Sequence, residues 1–391
     1  MSLFRRSVGE LLAEPGRPPR RQGGPAVTNA SALRQSVVWS ARRLRADLIS
    51  MMPVDVFRRV PGKGIINVPV TPPPVLVTPS DIADGHPMFI GEWLYSGQMS
   101  LDGSGNSVGV IRAVDALGLP ARIELVADEL VSMRIRGGRV LEYRINGEKH
   151  EARDIWHERQ FTVAGLPVGL SPIAFAALNL ASGIAAQEFA LDWFANGAVP
   201  SAILANVEKK VDPDEADRTK RRFKAAIADG DVFVTGKDWT YTAVAAKAAE
   251  SQFIEQMQYT DLALCRFFGV PADLVDVVVQ GSSTINYANI TQRNLQMLVM
   301  HLGPSVKRRE DALSTLTAKP RFVKLNRSAI LAMDPKSRAE LLNLQIDGRV
   351  LTPDQAREIE DLPPLSEFDY AQFDRLFGAR TKPQPRTSGG T

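Results

Sequence analysis

The sequence has a single cysteine, Cys265, among its 391 residues. No disulfide can therefore form within the chain, which fits a reducing compartment without proving one. No run of 18 uncharged apolar residues occurs either, so we expect no transmembrane helix and no contact with a membrane. Arg5 and Arg6 are not followed by an apolar segment, so the N-terminus is not predicted to be a secretory signal.

Charge of one sign is not in excess. The chain carries 47 basic and 44 acidic side chains, a net charge of +3. A protein that wraps DNA tightly over its whole surface would need many more cations than acids. At 44% hydrophobic and 23% charged residues, the composition is typical of a soluble globular protein of two or three domains.

The motifs of common catalytic and metal sites are missing as well. The four histidines include no pair four residues apart and no HExxH motif. The segment "GDVFVTGKD" (230–238) has five residues between its glycines and an aspartate after Lys237, so it is not a phosphate loop. The segment "GLSPI" (169–173) does not fit the GxSxG nucleophile elbow. The segment "DPDEAD" (212–217) does not fit a calcium loop. We therefore predict no catalytic residue, no metal site and no cofactor.

Two residues that could carry chemistry are better explained as structural. Cys265 lies in an amphipathic helical pattern and is predicted to be a small core residue. His157, in "DIWHERQ" (154–160), is predicted to be a strand residue rather than a ligand.

The periodicity of the apolar residues predicts an α+β chain. A helix is expected over 31–51, and another short helix over 89–99. Residues 107–157 read as short β-branched strands, with Gly137-Gly138 as a hairpin turn because glycine tolerates positive φ. Residues 1–28 and 379–391 are predicted to be flexible arms.

A long helix is predicted over 172–196, with Pro172 in its first turn. Its surface is small and apolar on nearly all sides, so most of that surface must be buried, in a large core or against copies of the same chain. The residues predicted to line this contact are Ala177, Ala181, Ala185, Glu188 and Asp192.

A compact insert follows at 197–250, with a helix that begins near Asp212 and has acids at its N-terminus. Its basic residues either form a solvated helix face or contact a partner. They are Lys209, Lys210, Arg218, Lys220, Arg221 and Arg222.

The rest of the chain is predicted to be mostly helical. A helix over 251–269 precedes the loop 270–285, which contains an apolar run and then a polar turn. A long helix over 286–317 should be kinked at Pro304. A strand near 321–327 and two helices, 335–347 and 353–361, are expected after it.

Six segments resemble the portal proteins of tailed phages and related gene-transfer particles, and they follow each other along the chain as they do in that family. The longest is "GLSPIAFAALNLASGIAAQEFALDWFANGAVPSAIL" at 169–204. The others are "SVVWSARRLRADLISMMPVDVFRR" (36–59), "DGSGNSVGVIRAVDALGLPARIELV" (102–126), "DIWHERQ" (154–160), "FFGVPADLV" (267–275) and "INYANITQ" (285–292). The resemblance covers about residues 31–365; two departures are the short C-terminal part and the proline-rich connection at 61–85.

The resemblance implies a portal fold, with a mixed α/β wing at 29–170 and 318–334, a two-helix stem and a small α/β clip. The stem would comprise 171–196 and 251–269, and the clip 197–250. The tunnel loop would be 270–285, followed by the kinked helix 286–317 and a short helical crown at 335–378. Portal proteins of this kind form rings, usually of twelve copies, at one capsid vertex, where DNA enters and leaves.

The same resemblance implies the partners: further copies of the chain, the major capsid protein, the terminase large subunit, a head-tail adaptor and double-stranded DNA bound without sequence preference. It places the protein in the virion, and in the host cytoplasm during assembly. The tunnel loop would contact DNA through residues that form few hydrogen bonds with it. These residues are Val277, Val278, Val279, Gln280, Gly281, Ser282 and Ser283.

Two other classes of protein remain open. An adaptor or scaffold without a channel would share the assembly surfaces but not the ring. An enzyme would need a phosphate loop or paired acids, and neither was found.

Overall fold

The computed structural model describes residues 27–61, 65–195, 202–206, 211–228, 239–243, 247–277, 290–327, 335–360 and 362–378. Helices and strands alternate along it, which confirms the expected α+β class. The chain divides into two units, Met1–Ile330 and Leu331–Thr391. The predicted arms lie outside the described residues apart from Val27 and Thr28.

The first helical stretch is two helices rather than the predicted one. Helix α1 (Asn29–Leu33) begins with a capping box between Thr28 and Ser31. Helix α2 (Ser36–Ser50) follows after a short break. Arg42 and Arg45 of α2 are buried, although arginine in a surface helix usually points to solvent.

Strands from distant parts of the sequence form the first sheet. Strand β1 (Val54–Pro61) pairs antiparallel with β2 (Ile65–Val70) on one side and with a strand late in the chain, Arg321–Leu325, on the other. Val56 is thereby opposite both Val70 and Val323. Strands β3 (Ser80–Ala83) and β4 (His86–Met88) form a separate pair.

Helix α3 (Ile90–Ser104) is longer than the helix expected at 89–99 and ends at Gly105, whose φ is +77°. Strand β5 (Asn106–Val114) then pairs with β6 (Pro120–Leu125) and, on its other edge, with Ile155–Arg159. Gly105 lies against Gly169 so closely that a Cβ at Gly169 would be 1.9 Å from the Gly105 carbonyl oxygen. Only glycine fits there.

A third sheet is a meander of β7 (Val131–Arg136), β8 (Arg139–Ile145) and β9 (Glu148–His150). Gly137 and Gly138 both have positive φ, so the predicted hairpin turn is confirmed. Strand β10 is Ile155–Arg159. One face of the meander packs on an apolar cluster that includes Val108, Val110 and Ile155.

The predicted helix at 172–196 is confirmed with one interruption. Helix α4 (Pro172–Phe175) begins at Ser171, whose hydroxyl accepts a hydrogen bond from the Ala174 N–H. After a turn at Ala176, α5 (Ala177–Ala195) continues.

The insert contains β11 (Ala202–Asn206), α6 (Pro213–Ala228) and β12 (Trp239–Ala243), with β11 and β12 antiparallel. Helix α7 (Lys247–Phe268) ends the segment.

The kinked helix has an unusual middle. Helix α8 (Ile290–Gln296) leads into a π-helical turn, Met297–Leu302, and then into α9 (Gly303–Ser314). Pro304 has no N–H to donate to the preceding turn, and a wider turn accommodates that loss. The predicted irregularity at this proline is thus found as a π turn. Strand β13 (Arg321–Leu325) follows.

The second unit contains three helices: α10 (Pro335–Asp347), α11 (Pro353–Ile359) and α12 (Glu367–Phe377). The first two were predicted. The third begins with a capping box between Ser366 and Asp369 and was not predicted as a separate helix.

Candidate functional site

Helices α5 and α7 pack against each other and form the candidate stem, while α7 also packs against α2. A reciprocal pair of hydrogen bonds links the side-chain amides of Gln35 and Gln187, at 2.9 and 3.1 Å. Gly183 lies under Gln35 and Thr260, where a Cβ would be 3.3 Å from the Gln35 Oε1 atom. This side of α5 therefore packs against other helices of the same chain.

The predicted contact residues of α5 lie on one side of the helix but differ in exposure. Ala177 is 6% exposed, so most of its side chain is packed within its own chain. Ala181 is half-buried, whereas Ala185, Glu188 and Asp192 are exposed. At about 100° per residue, all five positions fall within about 80° of one side of α5, so their exposure differs along the helix rather than around it.

Exposed positions of α5 carry large apolar side chains that the sequence analysis did not single out. Leu178 is 65% exposed, Phe189 59% and Leu191 69%. Side chains of this size on one helix are a recurring mark of an interface. Their signal in the sequence was the apolar character of the helix on nearly all sides.

Four of the six basic residues predicted to contact a partner lie on α6. Arg218, Lys220, Arg221 and Arg222 are exposed, whereas Lys209 and Lys210 lie outside the described residues. Three of the arginines, with Glu215 and Thr219, line a shallow cavity of about 410 Å³. Arg218 Nε donates to the Asp214 carbonyl oxygen at 3.2 Å and Arg221 Nε to that of Asp217 at 3.3 Å, so the chain fixes both side chains along the helix.

Only the beginning of the predicted tunnel loop is described. A 3₁₀ turn, Ala272–Val275, ends at Asp276, which has φ +55°. The Val277 N–H donates to the Ala272 carbonyl oxygen at 2.9 Å. The Val277 side chain is half-buried beside a cavity of about 310 Å³ lined also by Ser36 and Asp261. Val278, Val279, Gln280, Gly281, Ser282 and Ser283 lie outside the described residues.

Asp273 forms an ion pair with Arg293 of α8. A free carboxylate at this position would repel the phosphates of DNA. Because a guanidinium lies against its carboxylate, most of that repulsion is cancelled. The pair also joins the loop to the first half of the kinked helix.

The second half of that helix is held by buried charges. Arg309 of α9 is fully buried, 3.5 Å from Glu158 of β10, and donates to Gln98 Oε1 at 3.0 Å. Burial lowers the pKa of the Arg309 guanidinium and raises the pKa of the Glu158 carboxyl, and each charge opposes the shift of the other. Arg45 bridges the buried Asp102 at 3.0 Å and Ser305 at 2.9 Å.

His157 and Cys265 are structural, as predicted. Tyr143 Oη and His157 Nδ1 are 2.9 Å apart, and His157 Nε2 is 3.0 Å from Asn106 Oδ1. Burial lowers the pKa of His157 to about 4, so the imidazole is neutral at pH 7. Burial also raises the pKa of Cys265 to about 11, which makes it a poor nucleophile.

No cluster of three His, Cys, Asp or Glu side chains suitable for a metal ion occurs in the part of the chain that the structure describes. No helix among those same residues is long and apolar enough to cross a bilayer.

Comparison with known proteins gives a consistent result. The family model described as phage portal protein matches residues 36–361. The portal protein of Enterobacteria phage HK97 is 26% identical over 385 residues, covering 94% of this chain and 89% of that protein. The probable portal protein of Streptomyces phage phiC31 is 27% identical over 371 residues, covering 88% and 78%.

Solved structures share the fold. An HK97-family phage portal protein from Corynebacterium diphtheriae has a TM-score of 0.61 at 17% identity, covering 80% of this chain and 100% of that one. A chain in the neck of a native gene transfer agent particle, computed with C12 symmetry, has a TM-score of 0.55 at 18% identity, covering 93% and 100%.

Proposed function

Because the chain belongs to the phage portal protein family, whose members are structural proteins rather than enzymes, we propose that it forms a ring at one vertex of a capsid. Double-stranded DNA passes through this ring when the terminase fills the capsid, and again when the DNA is ejected. The ring contains about twelve copies, as the C12 symmetry of one similar structure suggests. The observation that carries the proposal is the family match over residues 36–361.

Neighbouring copies contact each other through α5. The exposed Leu178, Phe189 and Leu191 would lose water at that contact, and burying apolar area of this size favours association by roughly 25 cal/mol per Å². Ala185 allows close approach of a neighbouring helix, while Ala177 and the face around Gly183 remain inside the chain.

The insert 197–250 acts as the clip and docks the terminase large subunit and later a head-tail adaptor. Its exposed arginines on α6 supply long-range attraction to acidic partners. Reversing the charge of Arg221 and Arg222 should weaken both contacts, and the loss should shrink as salt rises. Unchanged capture of both partners by the variant would contradict this role. The major capsid protein surrounds the wing in the assembled virion.

The loop 270–285 faces the channel. Its residues include no lysine or arginine, so it adds no cation that would hold phosphate as DNA slides. Val277 is anchored to Ala272, and Asp273 is paired with Arg293. The proposed contact with DNA therefore belongs to Val278–Ser283.

Mass photometry and negative-stain imaging of the purified protein test the proposal. Twelve copies of the 42.8 kDa chain give a particle of about 510 kDa with a central opening. An adaptor or scaffold without a channel is the second candidate. Particles with no opening, or only monomers under assembly conditions, would favour that candidate.

A further inference from the structure

Nearly all the charged side chains on the outer face of the β7–β8–β9 meander are positive. Alternate residues of β7 and β8 point inward, among them Val131, Met133 and Tyr143, and pack on the apolar cluster. The residues between them point outward, and most of them are exposed. The cations on this outer side, which we call the basic sheet face, are Arg134, Arg136, Arg139, Arg144 and Lys149.

A single acid shares that face. Glu142 forms an ion pair with Arg144 and lies 3.9 Å from Lys149, and only 11% of its side chain is exposed. The hydrogen bond from Arg144 and the neighbouring positive charges lower the pKa of the Glu142 carboxyl. Five cations therefore face solvent with one carboxylate among them, which leaves an excess of four positive charges.

This arrangement is unfavourable for the sheet itself. Arg136 is directly opposite Arg139 across the strands, and Arg144 is opposite Lys149. Like charges at such positions destabilise a sheet. Arg134 is opposite Glu142, whose carboxylate is already paired with Arg144. Arg136 and Arg139 are in no ion pair within 4.0 Å among the described residues. Since the whole chain is nearly neutral, composition does not explain the concentration of charge.

We propose that the basic sheet face binds the sugar-phosphate backbone of duplex DNA without sequence preference, outside the channel. Alternate residues of a strand are about 7 Å apart and neighbouring strands about 4.8 Å apart, so the cations form a flat grid. Such a grid suits the closely spaced phosphates of a duplex. The inference rests on the proposed function for the source of this DNA, which is the packaged genome beside the ring.

The residues of the face disfavour other occupants. It has no asparagine or glutamine, the side chains that read adenine in the major groove. It also has no tryptophan or tyrosine, the anchors that most often dominate a protein–protein contact. An acidic protein segment would share the charge, but the one large apolar side chain exposed on these three strands is Leu141, 55% exposed.

The test is binding of a labelled duplex of about 20 base pairs to the full-length assembled protein, followed by fluorescence anisotropy from about 50 to 200 mM salt. Four phosphate contacts predict that wild-type affinity falls about 150-fold over that range. The variant Arg134→Gln/Arg136→Gln/Arg139→Gln should bind more weakly and lose only about fourfold. Duplexes of different sequence should behave alike.

A matched control removes three other exposed arginines, each paired with a carboxylate: Arg112→Gln/Arg122→Gln/Arg153→Gln. It should keep the wild-type affinity and salt dependence. Equal weakening in both variants, or wild-type binding by the sheet variant, overturns the proposal. Displacement of the duplex by polyglutamate as readily as by unlabelled DNA of equal charge overturns it in favour of an acidic protein partner.

Mass photometry on the same samples separates this inference from the proposed function. If the protein forms rings and the sheet variant binds the duplex as tightly as wild type does, only the proposed DNA binding by the basic sheet face is contradicted. If duplex binding depends on the basic sheet face but the protein forms no ring, only the proposed portal role is contradicted.

Discussion

The guanidinium of Arg309 and the carboxylate of Glu158 lie 3.5 Å apart, both fully inside the protein, and join the second half of the kinked helix to strand β10. Trp93 completes the site, with its ring 6.0 Å from the centre of the guanidinium. Several polar atoms of the pair, including both Glu158 oxygens, have no hydrogen-bond partner. Apart from the hydrogen bond from Arg309 to Gln98, the attraction between the two charges is therefore the main interaction of the pair.

Removing one partner of this pair should cost more than removing both. Arg309→Met leaves the Glu158 charge buried alone and should destabilise the protein by about 3–5 kcal/mol. The double variant Arg309→Met/Glu158→Leu should recover much of that loss, because no buried charge remains. Urea unfolding followed by tryptophan fluorescence measures this, since Trp93 and Trp156 lie at the site. An equal loss in the single and double variants would contradict the electrostatic explanation.

The neutral state of His157 makes stability depend on pH. Its pKa is lowered from 6.5 to about 4 in the folded protein, so the unfolded chain binds the proton more tightly. The resulting stability is fully present above pH 6.5 and is lost as the pH falls towards 4, by up to roughly 3 kcal/mol.

The matched comparison is His157→Gln, which keeps an amide able to bond both Tyr143 and Asn106 but does not titrate. Asp128 acts in the opposite sense, because burial raises its pKa to about 6 and its contribution is lost as pH rises from 3.8 to 6. The difference in unfolding free energy between wild type and His157→Gln removes that background. A difference that stays constant between pH 7 and 4.5 would show that His157 is not held neutral.

Placing charges at exposed apolar positions of α5 should block assembly without unfolding the chain. Leu178→Asp/Leu191→Asp places two charges where neighbouring copies are proposed to meet, while both positions are exposed in the single chain. We expect monomers of native circular dichroism and few or no rings in mass photometry. Leu117→Asp, at a position 73% exposed in the turn between β5 and β6, is the control and should assemble normally. Ring formation by the α5 variant at wild-type levels would place the interface elsewhere.

Shortening the loop within Val278–Ser283 should leave ring assembly intact and impair DNA packaging or retention. Gln280→Lys should slow translocation, because each added cation makes a phosphate contact that must break as DNA moves. Gln280→Asn is the neutral control. A packaging assay on procapsids carrying each variant measures both effects. Normal filling by the shortened loop would mean that it is a packed connection rather than part of the channel wall.

The local features of the fold could be predicted from the sequence. The Gly137-Gly138 hairpin depends on the φ angles that two adjacent residues accept, and the helix at 172–196 depends on its own composition. Its interruption at Ala176 was not foreseen, because no proline or glycine marks that position.

Long-range electrostatics could not be predicted. In a single sequence, Arg45 and Arg309 look like the polar sides of amphipathic helices, yet partners from distant segments bury both. Asp273 looked like a free acid until the structure placed Arg293 against it. The basic sheet face had a visible signal, arginine at alternate positions of β7, but its meaning depended on which side of the strand faces the core.

The pairing of Val56 with Val323 has a consequence for synthesis on the ribosome. Strand β1 emerges early but lacks one of its neighbours until β13 has been translated, after all the intervening elements up to α9. Until then one edge of its sheet is open, and an open edge is a site for wrong pairing between nascent chains. Chains that stop before residue 321 would keep that edge of β1 unpaired, so they should aggregate more readily than chains that contain β13.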